Sequence, residues 1–79
     1  MNLEIITPDT KVFSGEATSV IVPGKAGVFQ VLENHAPMLS ALRKGEIRYK
    51  TAGVEHNYAV ETGVIEVLKN KVVILVETV

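Results

Sequence analysis

Hydrophobic and polar positions alternate with a period of two along much of the chain, and this period predicts β-strands. The clearest example follows Gly45, where Ile47 and Tyr49 alternate with three charged residues. The stretch from Val54 to Val60 alternates in the same way. We therefore predict a hairpin about Thr51–Gly53 in which each strand has one face on the core and one face in water.

Short apolar runs bounded by turn residues predict the remaining strands. The runs are Leu3 to Thr7, Lys11 to Ser14, Ala17 to Val22, Val28 to Leu32, Val64 to Leu68 and Lys71 to Val76. The predicted turns are Pro8-Asp9, a type II turn at Pro23-Gly24, Glu61-Thr62-Gly63 and Lys69-Asn70-Lys71. Strands at this spacing predict an all-β fold: a small two-sheet β-sandwich of about nine to ten short, mostly antiparallel strands.

The last predicted strand is unusual because it is apolar on both faces. Its sequence from Val72 to Val76 is Val-Val-Ile-Leu-Val. Such a strand is either buried on both sides or docked against a partner.

The stretch from Gly27 to Gly45 places two apolar runs on either side of a polar corner, Glu33 to Pro37. Pro37 fixes its own φ and pushes Ala36 towards extended geometry. The segment after the corner could form a short helix, since Ala and Leu favour helices, but a helix of this length would be marginal. We predict a strand there. The corner is either a bend that defines the fold or a docking edge.

Composition limits the classes of function. The chain has 79 residues, 47% of them hydrophobic but only 5% aromatic, no cysteine and a net charge of -1. We predict one domain over residues 1–79, with an aliphatic core and the marginal stability of its size. The charge argues against nucleic-acid binding, and no apolar run approaches the roughly 20 residues of a membrane span. The first residues lack the basic region of a secretory signal.

Residues suited to catalysis are scarce. Gly24-Lys25 lacks the upstream glycine and the following Ser or Thr of a phosphate loop. His35 and His56 have no evident Asp or Cys partner. We therefore expect no catalytic residue, no cofactor and no metal. We expect His56 to pack across a strand pair, and His35 either to satisfy backbone groups at the corner or to face a partner.

A carrier or protein-interaction module is the alternative class of function. Lys69 and Lys71 flank Asn70 at a predicted hairpin tip, where small all-β carrier domains present a modified lysine. The neighbours of these lysines differ from those of biotinyl and lipoyl domains, and an ordinary solvated turn explains them far better.

An ordered series of short motifs carries a resemblance to a known family. The series is Leu3 to Pro8, Val12 to Gly15, Asn34 to Leu39, Leu42 to Arg48, and Ala59 to Val67. At this spacing it resembles the N-terminal β-sandwich domain of the epsilon subunit of F-type ATP synthase over essentially the whole chain. Many relatives continue into two C-terminal helices that inhibit ATP hydrolysis. This chain stops at Glu77-Thr78-Val79, so we expect it to lack that hairpin.

The resemblance implies a non-catalytic subunit of the central stalk. Its partners would be the gamma subunit and the ring of c subunits, with the catalytic head reached indirectly, in support of ion-driven rotary ATP synthesis. It would lie on the cytoplasmic side of the cell membrane (a bacterial inner membrane or its equivalent) as a peripheral protein without membrane insertion.

The resemblance also implies two contact surfaces. The ring-facing loop would comprise Gly24, Lys25, Ala26, Gly27 and Val28, and the gamma-facing residues would be His35, Met38 and Ser40. From the residues alone, the first loop could equally be an ordinary hairpin. Val28 stands where relatives often have an acidic residue, and Gln30 stands where a glycine is common. We therefore hypothesise that Lys25 faces acceptor groups on the ring.

Overall fold

The computed structural model describes residues 1–77, which form nine β-strands. The last two positions of the predicted domain lie outside the described residues. The strands are β1 (Asn2–Ile6), β2 (Lys11–Glu16), β3 (Ser19–Gly24), β4 (Gly27–Leu32), β5 (Met38–Leu42), β6 (Gly45–Thr51), β7 (Val54–Val60), β8 (Thr62–Leu68) and β9 (Lys71–Glu77).

The strands form two sheets that pack face to face and share one backbone ladder. The first sheet has the order β2-β1-β9-β8-β5, and the second has the order β4-β3-β6-β7. They join where Gly24 of β3 pairs with Leu42 of β5, a pair that we call the seam. Every pairing is antiparallel except the one between β1 and β9. The predicted β-sandwich is therefore confirmed, with the two sheets continuous at the seam.

The core is aliphatic and follows the period-two pattern. Ile47 and Tyr49 of β6 point inward, at 0% and 8% exposure, while the charged residues that alternate with them, Glu46, Arg48 and Lys50, lie in solvent. On β9, Val72, Ile74 and Val76 are buried, but Leu75 on the other face is 53% exposed. Burying each such aliphatic side chain contributes about 1.5–3 kcal/mol, so these alternating positions hold the sheets together.

The polar corner carries the chain from one sheet to the other. Strand β4 ends at Leu32 on the edge of the second sheet, and β5 begins at Met38 in the first sheet. The segment after Pro37 is a strand, as predicted, because it pairs with β8 over its whole length. The corner therefore defines the fold.

The predicted turn at Pro23-Gly24 is wrong. Both residues belong to β3, where they pair with Val28 and Gly27, and the turn lies one step later at Lys25-Ala26. Proline has no N–H to donate. It is accommodated because its carbonyl oxygen makes the contact on this side of β3, where it accepts a hydrogen bond from the Arg43 N–H at 2.9 Å. The turn signal in the sequence therefore marks the end of β3, where this strand pairs with both β4 and β5.

The predicted turn at Glu61-Thr62-Gly63 is too long. Only Glu61 lies in the connection, because Thr62 and Gly63 pair with Glu77 and Val76 of β9. Gly63 is needed for close packing: a Cβ atom there would lie 2.4 Å from the Leu75 carbonyl oxygen. Glycine at this position allows two backbones to approach rather than the chain to turn.

Candidate functional site

The hairpin between β3 and β4 brings together all the residues of the predicted ring-facing loop. Lys25 and Ala26 form its tip and are exposed, and Val28 is 65% exposed. The Lys25 N–H donates a hydrogen bond to the Ala41 carbonyl at 2.9 Å, which fixes the hairpin against β5. Gly27 has φ 142°, a value that other residues rarely adopt. The tip is therefore held in one conformation.

Arg43 and Lys44, in the connection from β5 to β6, lie beside this hairpin. Both side chains are exposed, and the Lys44 Nζ atom is 3.9 Å from Glu61 Oε2. No local pattern in the sequence associates these residues with Lys25. Only the pairing of β3 with β5, which joins distant parts of the chain, brings them together.

His35 satisfies backbone groups at the corner, which was one of its two predicted roles. Its N–H donates to the Leu32 carbonyl at 3.2 Å, and its ring Nδ1 donates to the Ala36 carbonyl at 2.8 Å. The side chain is half-buried, so part of the ring still reaches the surface.

Polar contacts fasten the corner to the opposite turn and to the chain start. The Asn34 N–H donates to Asn70 Oδ1 at 2.8 Å, and Asn70 Nδ2 donates to Glu33 Oε2 at 3.2 Å. Glu33 also accepts a hydrogen bond from the Met1 α-ammonium. Hydrogen bonds from the ammonium and then from Asn70 lower the pKa of Glu33. The hydrogen bond to Glu33, aided by the charges of Glu33 and Glu16 and opposed by desolvation, raises the pKa of the ammonium.

Two of the predicted gamma-facing residues point towards the interior. Met38 and Ser40 are half-buried opposite Val67 and Ile65, which belong to the core. Between them Leu39 projects outward and is 72% exposed. Leu39 is not among the predicted gamma-facing residues, although alternation along β5 separates it from Met38 and Ser40.

The outer face of the first sheet carries an apolar row. Ala41, Val64, Leu75 and Ile6 lie directly opposite one another across β5, β8, β9 and β1. Val64 is 39% exposed and Leu75 is 53% exposed. A groove of about 380 Å³ runs along this row towards Pro8. Leu39 lies beside the row on β5, so these residues form one continuous apolar surface.

The second histidine has the packing role that the sequence predicts. His56 stacks on its cross-strand partner Tyr49, with ring centroids 5.3 Å apart, and the tilted ring of Phe13 also packs against Tyr49, with centroids 4.8 Å apart. Burial raises the pKa of the Tyr49 hydroxyl. Within residues 1–77 there is no cluster of three acidic or histidine side chains that could hold a metal ion. The same residues include no helix of the length and hydropathy needed to cross a membrane.

The fold and its exposed surfaces define a class of small β-sandwich domains. Residues 1–79 match the family described as ATP synthase, Delta/Epsilon chain, beta-sandwich domain. The chain is 45% identical to the ATP synthase epsilon chain of Chlorobium limicola over 78 residues, which cover 98% of this chain and 89% of the relative. It is 38% identical to the epsilon chain of Anaeromyxobacter sp. strain Fw109-5, of which it covers 59%.

Two solved structures share the fold. A chain of the Tetrahymena thermophila mitochondrial ATP synthase, from a structure of its central stalk and c-ring, superposes with a TM-score of 0.84 at 13% identity. That match covers 98% of this chain and 63% of the other. A chain of the Euglena gracilis mitochondrial ATP synthase matches with a TM-score of 0.87 at 19% identity, over 94% and 48% of the two chains.

The protein belongs to the epsilon-chain family of ATP synthase. It is a non-catalytic subunit of that membrane-associated complex. The resemblance found from the motifs is therefore confirmed.

Proposed function

We propose that this protein links the gamma subunit to the c-ring in the central stalk of an F-type ATP synthase. In this role it transmits ion-driven rotation and carries out no chemistry itself. It lies at the cytoplasmic side of the membrane, as a peripheral part of the complex.

The observation that carries the proposal is the position of the two contact surfaces at opposite ends of one strand. Strand β5 begins directly after the His35 corner and ends at Leu42, opposite Gly24 of the ring-facing hairpin. At about 3.3 Å per residue the strand separates the two ends by roughly 13 Å. A domain of this shape can touch one partner at the corner and another at the hairpin.

The assemblies in which the shared fold occurs support this arrangement. One matching chain comes from a structure of a central stalk and c-ring, and the other from a structure that includes F1 and the c-ring. Both assemblies contain a c-ring, and the first also contains a central stalk.

The gamma-facing surface includes the corner and the outer side of β5. Leu39 supplies the side chain that projects from this strand, while Met38 and Ser40 support it from the inner face. The neighbouring apolar row extends the surface across β8 and β9. An apolar surface of this kind gains stability when a partner covers it.

The experiment is co-purification of the chain with its cognate gamma subunit, using the variants Leu39→Asp and Val54→Asp. Leu39 and Val54 are both exposed apolar residues, at 72% and 55%, but Val54 lies on β7 in the other sheet. We expect Leu39→Asp to weaken binding by about tenfold or more, because docking would bury an unpaired carboxylate. Val54→Asp should bind like the wild type.

Circular dichroism must show that both variants fold. A wild-type chain that does not bind gamma would overturn the proposed function. Equal binding by the wild type and the folded Leu39→Asp variant would remove β5 from the gamma surface.

A further inference from the structure

We infer that Lys25, Arg43 and Lys44 form one cationic end that binds carboxylate groups on the loops of the ring-forming subunits. This inference rests on the proposed function, and it specifies the chemistry of the ring contact. The hairpin alone contributes one cation, and the connection from β5 to β6 contributes the other two.

The backbone around the seam places Lys25 and Arg43 on the same side of the sheet. The Lys25 N–H bonds to the Ala41 carbonyl and the Arg43 N–H bonds to the Pro23 carbonyl, both at 2.9 Å. Residues that face each other in an antiparallel pair share a face, and so do residues two apart on a strand. Lys25 and Arg43 are therefore on the face opposite to Leu42, whose side chain enters the core.

Close packing holds this end of the sandwich rigid. A Cβ atom on Gly24 would lie 2.6 Å from the Gly27 carbonyl oxygen, and one on Gly45 would lie 2.8 Å from the Pro23 side chain. The connection that carries Arg43 and Lys44 therefore wraps tightly around the end of β3. Groups presented on a rigid backbone lose little entropy when they bind.

The charges at this end are incompletely compensated. Lys44 lies 3.9 Å from Glu61, but both side chains are largely exposed, so the attraction is weak. Lys25 and Arg43 take part in none of the ion pairs formed within residues 1–77. An incoming carboxylate would relieve the repulsion among the cations, and the guanidinium of Arg43 can bind it through two parallel hydrogen bonds.

A carboxylate-bearing loop fits this end better than a phospholipid surface does. Glu46 and Glu61 border the cations, and the whole chain has a net charge of -1, so a broad anionic surface would meet repulsion as well as attraction. A narrow loop can bind Lys25 and Arg43 alone, neither of which pairs with an acidic residue within residues 1–77. The exposed Val28 beside them offers an apolar contact to the same loop.

The experiment measures binding of the full chain to detergent-solubilised cognate c-ring and, separately, to the gamma subunit. The variants are Lys25→Glu, Arg43→Glu and the double variant. Lys69→Glu is the matched control, because it makes the same charge change in the turn at the far end of β8. We expect the double variant to bind the ring about tenfold or more weakly at low salt, with a smaller difference at high salt.

Binding to gamma should be unchanged in Lys25→Glu, Arg43→Glu and the double variant, and Lys69→Glu should bind the ring like the wild type. If the double variant keeps the affinity and the salt dependence of the wild type for the ring, the inference is wrong, although the proposed function stands. If the wild type binds neither gamma nor the ring, the proposed function itself fails. Binding to phosphatidylglycerol vesicles that the double variant loses, together with unaltered ring binding, would assign the cationic end to lipid and overturn the inference.

Discussion

Gly24 and Leu42 face each other at the seam, the point where the two sheets share a backbone ladder. Gly24 also pairs with Gly27 across the hairpin, and the ring of Phe29 lies against it. This one glycine therefore holds the β3–β4 hairpin, the seam and the core side of β4 together.

A side chain at Gly24 should destabilise the domain. The Cβ atom in Gly24→Ala would lie 2.6 Å from the Gly27 carbonyl oxygen and 2.7 Å from the Phe29 ring, and backbone cannot give way cheaply. We expect a loss of about 1–3 kcal/mol in the free energy of unfolding, measured by urea denaturation. Gly53→Ala is the control, because its Cβ atom would meet nothing and only its φ of 77° is unfavourable. If Gly24→Ala unfolds at the same urea concentration as the wild type, the packing at the seam is looser than described.

The bridge that the Asn70 side chain forms by its hydrogen bonds to Asn34 and Glu33 should contribute measurably to stability. Asn70→Gly keeps a residue that accepts the φ of 60° but removes the side-chain bonds to Asn34 and Glu33. We expect the variant to lose about 1 kcal/mol, the usual net value of one or two exposed hydrogen bonds. Lys69→Gly, at φ 51° in the same turn, should be neutral or slightly stabilising because it removes only strain. Equal effects of the two substitutions would show that the turn, and not the bridge, matters.

The pair formed by Glu33 and the Met1 ammonium should make stability depend on pH in two ranges. The pKa of Glu33 is lowered from 4.5, so its contribution is present above that pH and is lost as the pH falls through the folded-state value. The pKa of the ammonium is raised from 8.0, so its contribution is present below pH 8 and is lost as the pH rises through the folded-state value.

The difference in unfolding free energy between the wild type and Glu33→Gln should therefore be largest between about pH 5 and pH 7.5. Thermal unfolding across pH 3–10 measures this difference. A constant difference over the whole range would mean that the pair is not formed in solution.

Neighbouring residues of β9 should respond very differently to truncation. Ile74 is fully buried and Leu75 is 53% exposed. Ile74→Ala should cost about 2–5 kcal/mol, a large fraction of the stability of so small a domain, whereas Leu75→Ala should stay within about 0.5 kcal/mol. Chemical denaturation of the isolated chain gives both values. A large loss for Leu75→Ala would place its side chain in the core and remove it from the apolar row.

The sequence predicts strands well where a period-two pattern meets a single core. Ile47 and Tyr49 are examples, since each faces inward next to a charged neighbour that cannot be buried cheaply. The fold class and the corner also follow from local signals. The strand conformation of Pro23 and Gly24 does not, because it depends in part on the pairing of Gly24 with Leu42, a residue far along the chain.

The proposed contact surfaces could likewise be predicted only where they do not depend on pairing between distant strands. The hairpin residues were identified together because they are adjacent in sequence. Met38 and Ser40 were predicted to face gamma, but the alternation of β5 places them on the inner side and Leu39 on the outer side. Arg43 was missed because its proximity to Lys25 depends on the seam, and pairing between distant strands leaves no short-range pattern in a sequence.

The parallel pairing of β1 with β9 has a consequence for how the protein acquires its structure. Strand β1 lies between β2, which follows it closely, and β9, which is the last of the nine described strands in sequence. A chain emerging from the ribosome can form the β1–β2 hairpin early. The position between β1 and β8 in the first sheet, however, stays unfilled until β9 has been synthesised. Contacts this distant in sequence slow folding, so we expect the domain to fold only once β9 is available, in milliseconds to seconds and in a single cooperative step.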